Sequence, residues 1–159
     1  MAMSEAKSAI DAGSLDVLPN AKDLMKQIAL REAEKASAEM KERSAADAEK
    51  KALIEKFSKA SGVSDEERLK RAIAIINRAA KNGLTSVEIM RFPNQLCTDR
   101  GRAINQREQG WQETLTGLPK ELYLFWEKHL KSHGYKLGYQ IVDFPGGMPG
   151  DVGITLSWN

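Results

Sequence analysis

The sequence predicts an α+β protein in which a long N-terminal charged helix precedes a small domain with a three-stranded, mostly antiparallel sheet and about three helices. Two observations indicate this class. All three tryptophans, all three tyrosines and three of the four phenylalanines follow Gly62, so the aromatic core is expected there. Residues 20–61 contain neither glycine nor proline and are rich in alanine, glutamate and lysine, which are strong helix formers.

The composition narrows the functional class. The chain has 159 residues, of which 29% are charged, and a net charge of +2. Its longest apolar runs, 72–76 and 122–126, are far shorter than the roughly 20 residues that span a bilayer. The N-terminus lacks the basic start and apolar stretch of a secretory signal. Cys97 is the only cysteine, which precludes an internal disulfide. We therefore expect a cytoplasmic protein with no membrane partner.

Three regions are predicted: a flexible segment over 1–19, a long charged helix over 20–62, and a compact α+β domain over 63–159. Asn20 is the expected helix cap, and Ser61–Gly62 is the expected stop. A strict coiled-coil seam is weak, because half of the residues at the 3-4 spacing are polar or small: Leu30, Ala33, Ser37, Met40, Ser44 and Asp47. A self-associating alanine-rich helix and a solvated charged helix anchored at its ends are both open interpretations, and the length of the helix slightly favours a partner.

Local signals predict the first elements of the C-terminal domain. Ser64 followed by three acidic residues is typical of a capping box, and a helix should run from there to Asn82–Gly83. Alternation of apolar and charged residues over 86–92 predicts a strand that Pro93 ends. A weaker helix is expected over 94–106, interrupted by Gly101.

The remaining elements are a helix and a hairpin. Pro119 suits the first turn of a strong helix that Gly134 ends. Strands are expected over 135–143 and 152–158, joined by a loop over 144–151 whose prolines and glycines favour one defined shape. The predicted order is thus helix, strand, helix, helix, strand, strand.

A basic stretch supplies the main candidate binding site. Nine lysines and arginines lie between residues 68 and 107, against only Glu88 and Asp99. Four of its arginines suit bidentate recognition of phosphate or carboxylate groups, namely Arg91, Arg100, Arg102 and Arg107. The hairpin loop adds five candidates for partner contact: Phe144, Gly146, Gly147, Met148 and Asp151. The structural alternatives are arginines paired with nearby acids and a loop shaped by geometry alone.

The sequence assigns no catalytic residue, no metal ligand and no cofactor. His129 and His133 have the i, i+4 spacing of zinc ligands, but no further ligand is indicated. Cys97 with His129 is the best nucleophile and base pair available, yet no catalytic motif surrounds the cysteine, which we expect to be a small buried hydrophobe. No phosphate-binding glycine motif occurs.

Two resemblances accompany this pattern. The order of helix, strand, helix, helix and hairpin resembles winged-helix DNA-binding domains, with residues 144–151 in place of the wing. The predicted recognition helix departs from that pattern because it carries Glu121 and Glu127. Residues 85–159 also resemble an uncharacterised bacterial family, through Arg91-Phe-Pro-Asn, Cys97-Thr-Asp-Arg-Gly-Arg-Ala-Ile-Asn, Thr114-Leu-Thr-Gly and Asp143-Phe-Pro-Gly-Gly-Met-Pro-Gly-Asp-Val-Gly. This second resemblance implies no function.

Three functional hypotheses follow. The leading one is a non-enzymatic adaptor that self-associates or docks through its long helix and binds a protein or an anionic ligand with its C-terminal domain. The alternative is a winged-helix-like nucleic-acid-binding protein with the helix as a dimerisation arm. The third is a small enzyme with a pocket near Cys97 and His129.

Overall fold

A computed structural model describes residues 17–159. Most of the segment 1–19, for which we predict flexibility, lies outside the described residues. The chain forms two compact units, the first ending at Asp47 and the second comprising Ala48–Asn159. No helix in the described part of the chain has the length and apolar composition needed to cross a membrane.

Helix α1 spans Ala21–Ser58. It begins as predicted, because Asn20 Oδ1 accepts a hydrogen bond from the Lys22 backbone N–H at 2.9 Å. Every residue of its first-unit portion, 21–47, is exposed. The helix ends four residues before the predicted stop at Gly62. Beyond Ser58 the chain turns, and the Ser61 N–H and hydroxyl donate to the Glu121 carboxylate instead of extending the helix.

The second unit contains three further helices. Helix α2 spans Asp65–Lys81, and its predicted cap is confirmed, since Ser64 Oγ accepts from the Glu67 N–H at 3.2 Å. Helix α3 covers only Arg102–Gln106, and α4 spans Gly117–His129. Short 3-10 turns fill the connections, at Asn94–Leu96, Trp111–Thr114, Lys131–His133 and Pro145–Gly147.

The weaker helix predicted over 94–106, with an interruption at Gly101, is present only in its second part, Arg102–Gln106, and a 3-10 turn covers Asn94–Leu96. Asp99 contributes to the interruption, because its carboxylate accepts hydrogen bonds from the backbone N–H groups of Gly101 and Ala103 at 3.0 and 2.8 Å. Gly101 has a φ of 84° and a built Cβ would lie 3.1 Å from Ile141 Cδ1, so the chain turns sharply there against the sheet. The result is one 3-10 turn and one short helix in place of a single element.

The sheet confirms the predicted class, with three antiparallel strands in the order β1-β3-β2. Strand β1 spans Ser86–Phe92, β2 spans Lys136–Ile141 and β3 spans Val152–Ser157. A bulge lies between Glu88 and Met90. It adds one residue to β1, and this is why Phe92 reaches the same core face as Val87 and Ile89 despite the odd spacing.

Strand β3 lies at the centre of the core. Val152 and Ile154 are fully buried and Leu156 is nearly so. They join two adjoining apolar clusters, one around Phe92, Leu96, Leu115 and Tyr139, the other around Ile76, Phe125, Leu130 and Leu156. Ile54 and Phe57 of α1 also pack against the first cluster, so the core begins before Gly62.

Gly117, at the start of α4, holds the end of α1 against the unit. Its φ is 60°, and a Cβ there would overlap the Phe57 carbonyl oxygen and lie 2.9 Å from Ser58 Cα. Only glycine lets the two backbones approach this closely. One helical turn further along α4, Glu121 accepts hydrogen bonds from Ser61 and from Arg68. Partial burial opposes ionisation of Glu121, but these donors outweigh it, and its pKa lies below the ordinary value.

We expect Gly117→Ala to lower the free energy of unfolding by about 3 kcal/mol or more, because it adds steric overlap to the cost of a positive φ. The matched control is Gly110→Ala, where φ is likewise positive, at 84°, yet nothing lies within 4 Å of the built Cβ. The control should lose only about 1 kcal/mol. Urea unfolding measures both changes, and equal losses would contradict a close packing of α1 on α4.

Candidate functional site: a basic cleft beside the hairpin loop

The hairpin loop is held in one shape by a guanidinium that two carboxylates share. Arg91 Nε donates to Asp151 Oδ2 at 2.9 Å, and Arg91 Nη2 donates to Asp143 Oδ2 at 3.0 Å. Asp143 Oδ1 also accepts from the Asp151 N–H at 2.6 Å. The hydrogen bond to Asp151, with the charges of both aspartates, raises the pKa of Arg91. Arg91 thus closes the base of the loop.

A second contact fixes the far side of the loop. Asn94 Nδ2 donates to the Pro149 carbonyl oxygen at 2.7 Å, which ties the 3-10 turn after β1 to the loop. Gly146 and Gly147 have φ angles of 62° and 79°, as the tight turn requires. Phe144 and Met148 remain 53% and 68% exposed. The loop therefore presents apolar side chains from an anchored backbone.

Next to this loop lies a cleft of about 550 Å³. Its charged lining consists of three cations, Lys50, Arg100 and Arg102, and one acid, Asp99. The remaining lining is amide or apolar: Asn94, Gln95, Asn105, Gln106, Met148 and Pro149. Since both Asp99 oxygens already accept backbone N–H groups, the cleft has a surplus of hydrogen-bond donors and of positive charge.

The two arginines of the cleft differ in their pairing. Arg102 Nη1 donates to Glu108 Oε1 at 2.6 Å on the exposed surface. Arg100 forms no ion pair with any residue in 17–159. Its φ is 58°, in the left-handed region that a non-glycine residue adopts at a cost of about 1 kcal/mol. The turn that Asp99 stabilises holds it there.

The structure brings together only some of the residues that the sequence nominates. Arg100, Arg102 and Met148 line the cleft. Arg91 and Asp151 pair with each other, and Phe144, Gly146 and Gly147 lie in the same loop without lining the cleft. Arg107 lines a different groove, between α3 and strand β2. Lys50 and the four amide side chains of the cleft are not among the residues that the sequence nominates. A cluster of asparagine and glutamine near the arginines was a local signal for the amides, but nothing local pointed to Lys50.

Cys97 belongs to the first apolar cluster, whereas the partly exposed His129 contacts the second. Cys97 is 2% exposed in the first apolar cluster, where burial, with the nearby charge of Asp99, raises the pKa of its thiol to about 11. His129 packs on the Phe125 ring of the second cluster, and its Nε2 lies 3.0 Å from Asp65 Oδ2. That contact lowers the pKa of Asp65. In the part of the chain that the structure describes, no three His, Cys, Asp or Glu side chains group as a metal site would require.

Comparison of the chain with family models, curated proteins and solved structures finds no match. The geometry of the cleft is therefore the basis for a functional assignment.

The raised pKa of Cys97 predicts slow alkylation. At pH 8 the folded protein should react with iodoacetamide at least about a hundredfold more slowly than the same protein in urea, because both thiolate formation and access are suppressed. The matched control moves the thiol by one position, to the exposed Thr98, in Cys97→Ala/Thr98→Cys. The control should react at an ordinary rate. Equally fast reaction of folded wild type would restore the case for a nucleophilic cysteine.

Proposed function

We propose that the protein is a non-enzymatic cytoplasmic adaptor whose basic cleft binds a carboxylate-bearing segment of a protein partner. The observation that carries this proposal is the convergence of Lys50, Arg100 and Arg102 on one cleft beside an anchored loop. Guanidinium groups bind carboxylates through two parallel hydrogen bonds, and the neighbouring amides can satisfy the remaining oxygen and backbone groups of a peptide.

The rim of the cleft favours a peptide over a free inorganic anion. Met148 is exposed on the loop and Pro149 lies beside it, so an acidic residue in the cleft would place a neighbouring apolar residue against them. Methionine adapts its shape to different apolar partners. A single buried, reduced cysteine is consistent with a reducing compartment, which supports the cytoplasmic assignment.

Helix α1 supplies the second half of the proposal, as a segment for self-association or docking. Residues 21–47 expose several large apolar side chains, including Leu24, Met25, Ile28, Leu30 and Met40. An exposed helix gains most of its stability from packing an apolar face against a partner. Leu24 and Ile28 lie one helical turn apart on one side of α1, and a second copy of the chain offers the same pair and is the simplest such partner.

Nucleic-acid binding is the second candidate. It is favoured by the order of α2, β1, α3, α4 and the β2–β3 hairpin, which follows the winged-helix order. Helix α4 would be the recognition helix, but its Glu121 and Phe125 pack towards α2, and its exposed residues include Glu127 beside Lys120 and Lys128. An acidic group on that surface would repel phosphates.

The cleft can be tested with a short peptide of alternating glutamate and leucine. Its addition to the labelled full-length protein should shift the NMR signals of the Arg100 and Arg102 side chains and of the Asn105 and Gln106 amides. Arg100→Ala/Arg102→Ala should weaken binding by about tenfold or more, since two charge-assisted contacts are lost. The matched control, Arg78→Ala/Lys81→Ala, removes equal charge from the exposed surface of α2 and should leave affinity unchanged.

A mixed-sequence DNA duplex serves as the competing probe in the same assay. If the duplex binds more tightly than the peptide, with affinity that falls steeply with salt, the nucleic-acid alternative replaces the proposal. Equal loss of peptide affinity in the control variant would mean that net charge alone attracts the peptide. This result would also contradict the proposal that the peptide binds in the cleft.

Self-association predicts a multimer in light scattering of the full-length chain at micromolar concentration. Leu24→Glu/Ile28→Glu should convert it to a monomer, because both side chains lie on one face of α1 and would place charges in the interface. Ala33→Glu/Ser37→Glu adds the same charge to the opposite face. If that variant is the monomeric one instead, the interface lies on the alanine-rich face that contains Ala33 and Ser37. A monomeric wild type would exclude self-association.

A further inference from the structure

A second, apolar cavity lies between α2, α4, the end of α1 and the core face of the sheet. Its volume is about 380 Å³, within the range of small-molecule sites. It shares no lining residue with the basic cleft. Phe57, Leu122 and Trp126 are among its lining residues, and Ile75 of α2 lines it while remaining 40% exposed.

The cavity separates the two clusters of the core. Ile89 and Leu137 pack against both clusters and also line the cavity. Concave, mostly apolar pockets of roughly 300–1,000 Å³ are the usual sites for small ligands. The size and the apolar lining of this cavity together point to an occupant with an apolar chain.

The charged groups of the lining are both cationic. They are Arg68 and Arg71, one helical turn apart on α2. Arg68 is largely covered and already donates to Ser61 Oγ at 2.7 Å and to Glu121 at 3.3 Å. Arg71 is 62% exposed, and within residues 17–159 its ion-pair partner is Glu67, which is similarly exposed. Such an exposed pair contributes little, so Arg71 can exchange Glu67 for another carboxylate.

We propose that this cavity binds a medium-chain alkyl carboxylate, with its chain among Phe57, Leu122 and Trp126 and its carboxylate on Arg71. The apolar lining accounts for the chain, and the absence of any acidic side chain from the described lining accounts for the negative head. The site would work independently of the basic cleft, as a place where a small amphipathic metabolite stabilises the packing of α1 and α2 on the sheet.

Decanoate below its micellar concentration is the probe, and decanol is the matched ligand without charge. Isothermal titration with the full-length protein should show saturable binding of decanoate, and its methylene protons should give nuclear Overhauser contacts to the side chains of Leu122 and Trp126. Arg71→Gln should weaken the binding of decanoate by about tenfold and leave the binding of decanol unchanged, because only decanoate bears the carboxylate. Arg78→Gln, an exposed arginine of α2 outside the cavity, should change neither.

A cavity-filling variant tests the location of the chain. Ala72 lines the cavity, so Ala72→Leu should occupy part of it and reduce binding of both ligands. Absence of saturable binding by wild type at millimolar decanoate, together with a higher Tm for Ala72→Leu, would show an unfilled core and overturn the proposal. Contacts from decanoate confined to the apolar residues of 24–30 would overturn it as well. The wild-type contacts decide the question even if Ala72→Leu fails to fold.

Discussion

The second unit depends above all on the burial of β3. This strand pairs with β1 on one side and β2 on the other, and its Val152, Ile154 and Leu156 supply both apolar clusters. Each such side chain stabilises the fold by about 1.5–3 kcal/mol when it is removed from water. Because β3 follows all the other described elements in sequence, helices α2 and α4 have no complete surface to pack on until this strand has paired. The architecture therefore rests on contacts between residues far apart in sequence.

The same strand explains why one predicted arginine has a structural role and others remain available. Pairing of Val152 with Phe92 and Ile141 brings the ends of the three strands together, with Arg91, Asp143 and Asp151 side by side. Two carboxylates fixed by the strands bind a guanidinium at less entropic cost than an anion from solution. Arg91 is thus used to shape the loop. Arg100, which lies beyond that junction on a turn held by Asp99, keeps its donors free of ion pairs with residues 17–159.

Local signals predicted most elements of the fold but only part of the site. Ser64, Pro119 and the alternation over 86–92 act within a few residues, and the elements they predict are present. Over 94–106 the interruption at Gly101 was predicted, but the competition of the Asp99 side chain for backbone N–H groups is not evident from a helical pattern alone. The partners of Arg91 lie 52 and 60 positions away, and Lys50 reaches the cleft from α1. Such placements follow from the packing of elements that are distant in sequence, and short-range sequence patterns do not reveal that packing.

The end of α1 connects the two sites. Lys50 lines the basic cleft and Phe57 lines the apolar cavity. These residues are seven positions apart, which is close to two helical turns, so they lie on the same side of the helix. The close backbone contact at Gly117 and the hydrogen bonds among Ser61, Arg68 and Glu121 fix the position of that side relative to α4. Because both residues belong to one helix, a shift of this helix end would move Lys50 and Phe57 together, and the linings of the cleft and of the cavity both depend on its position.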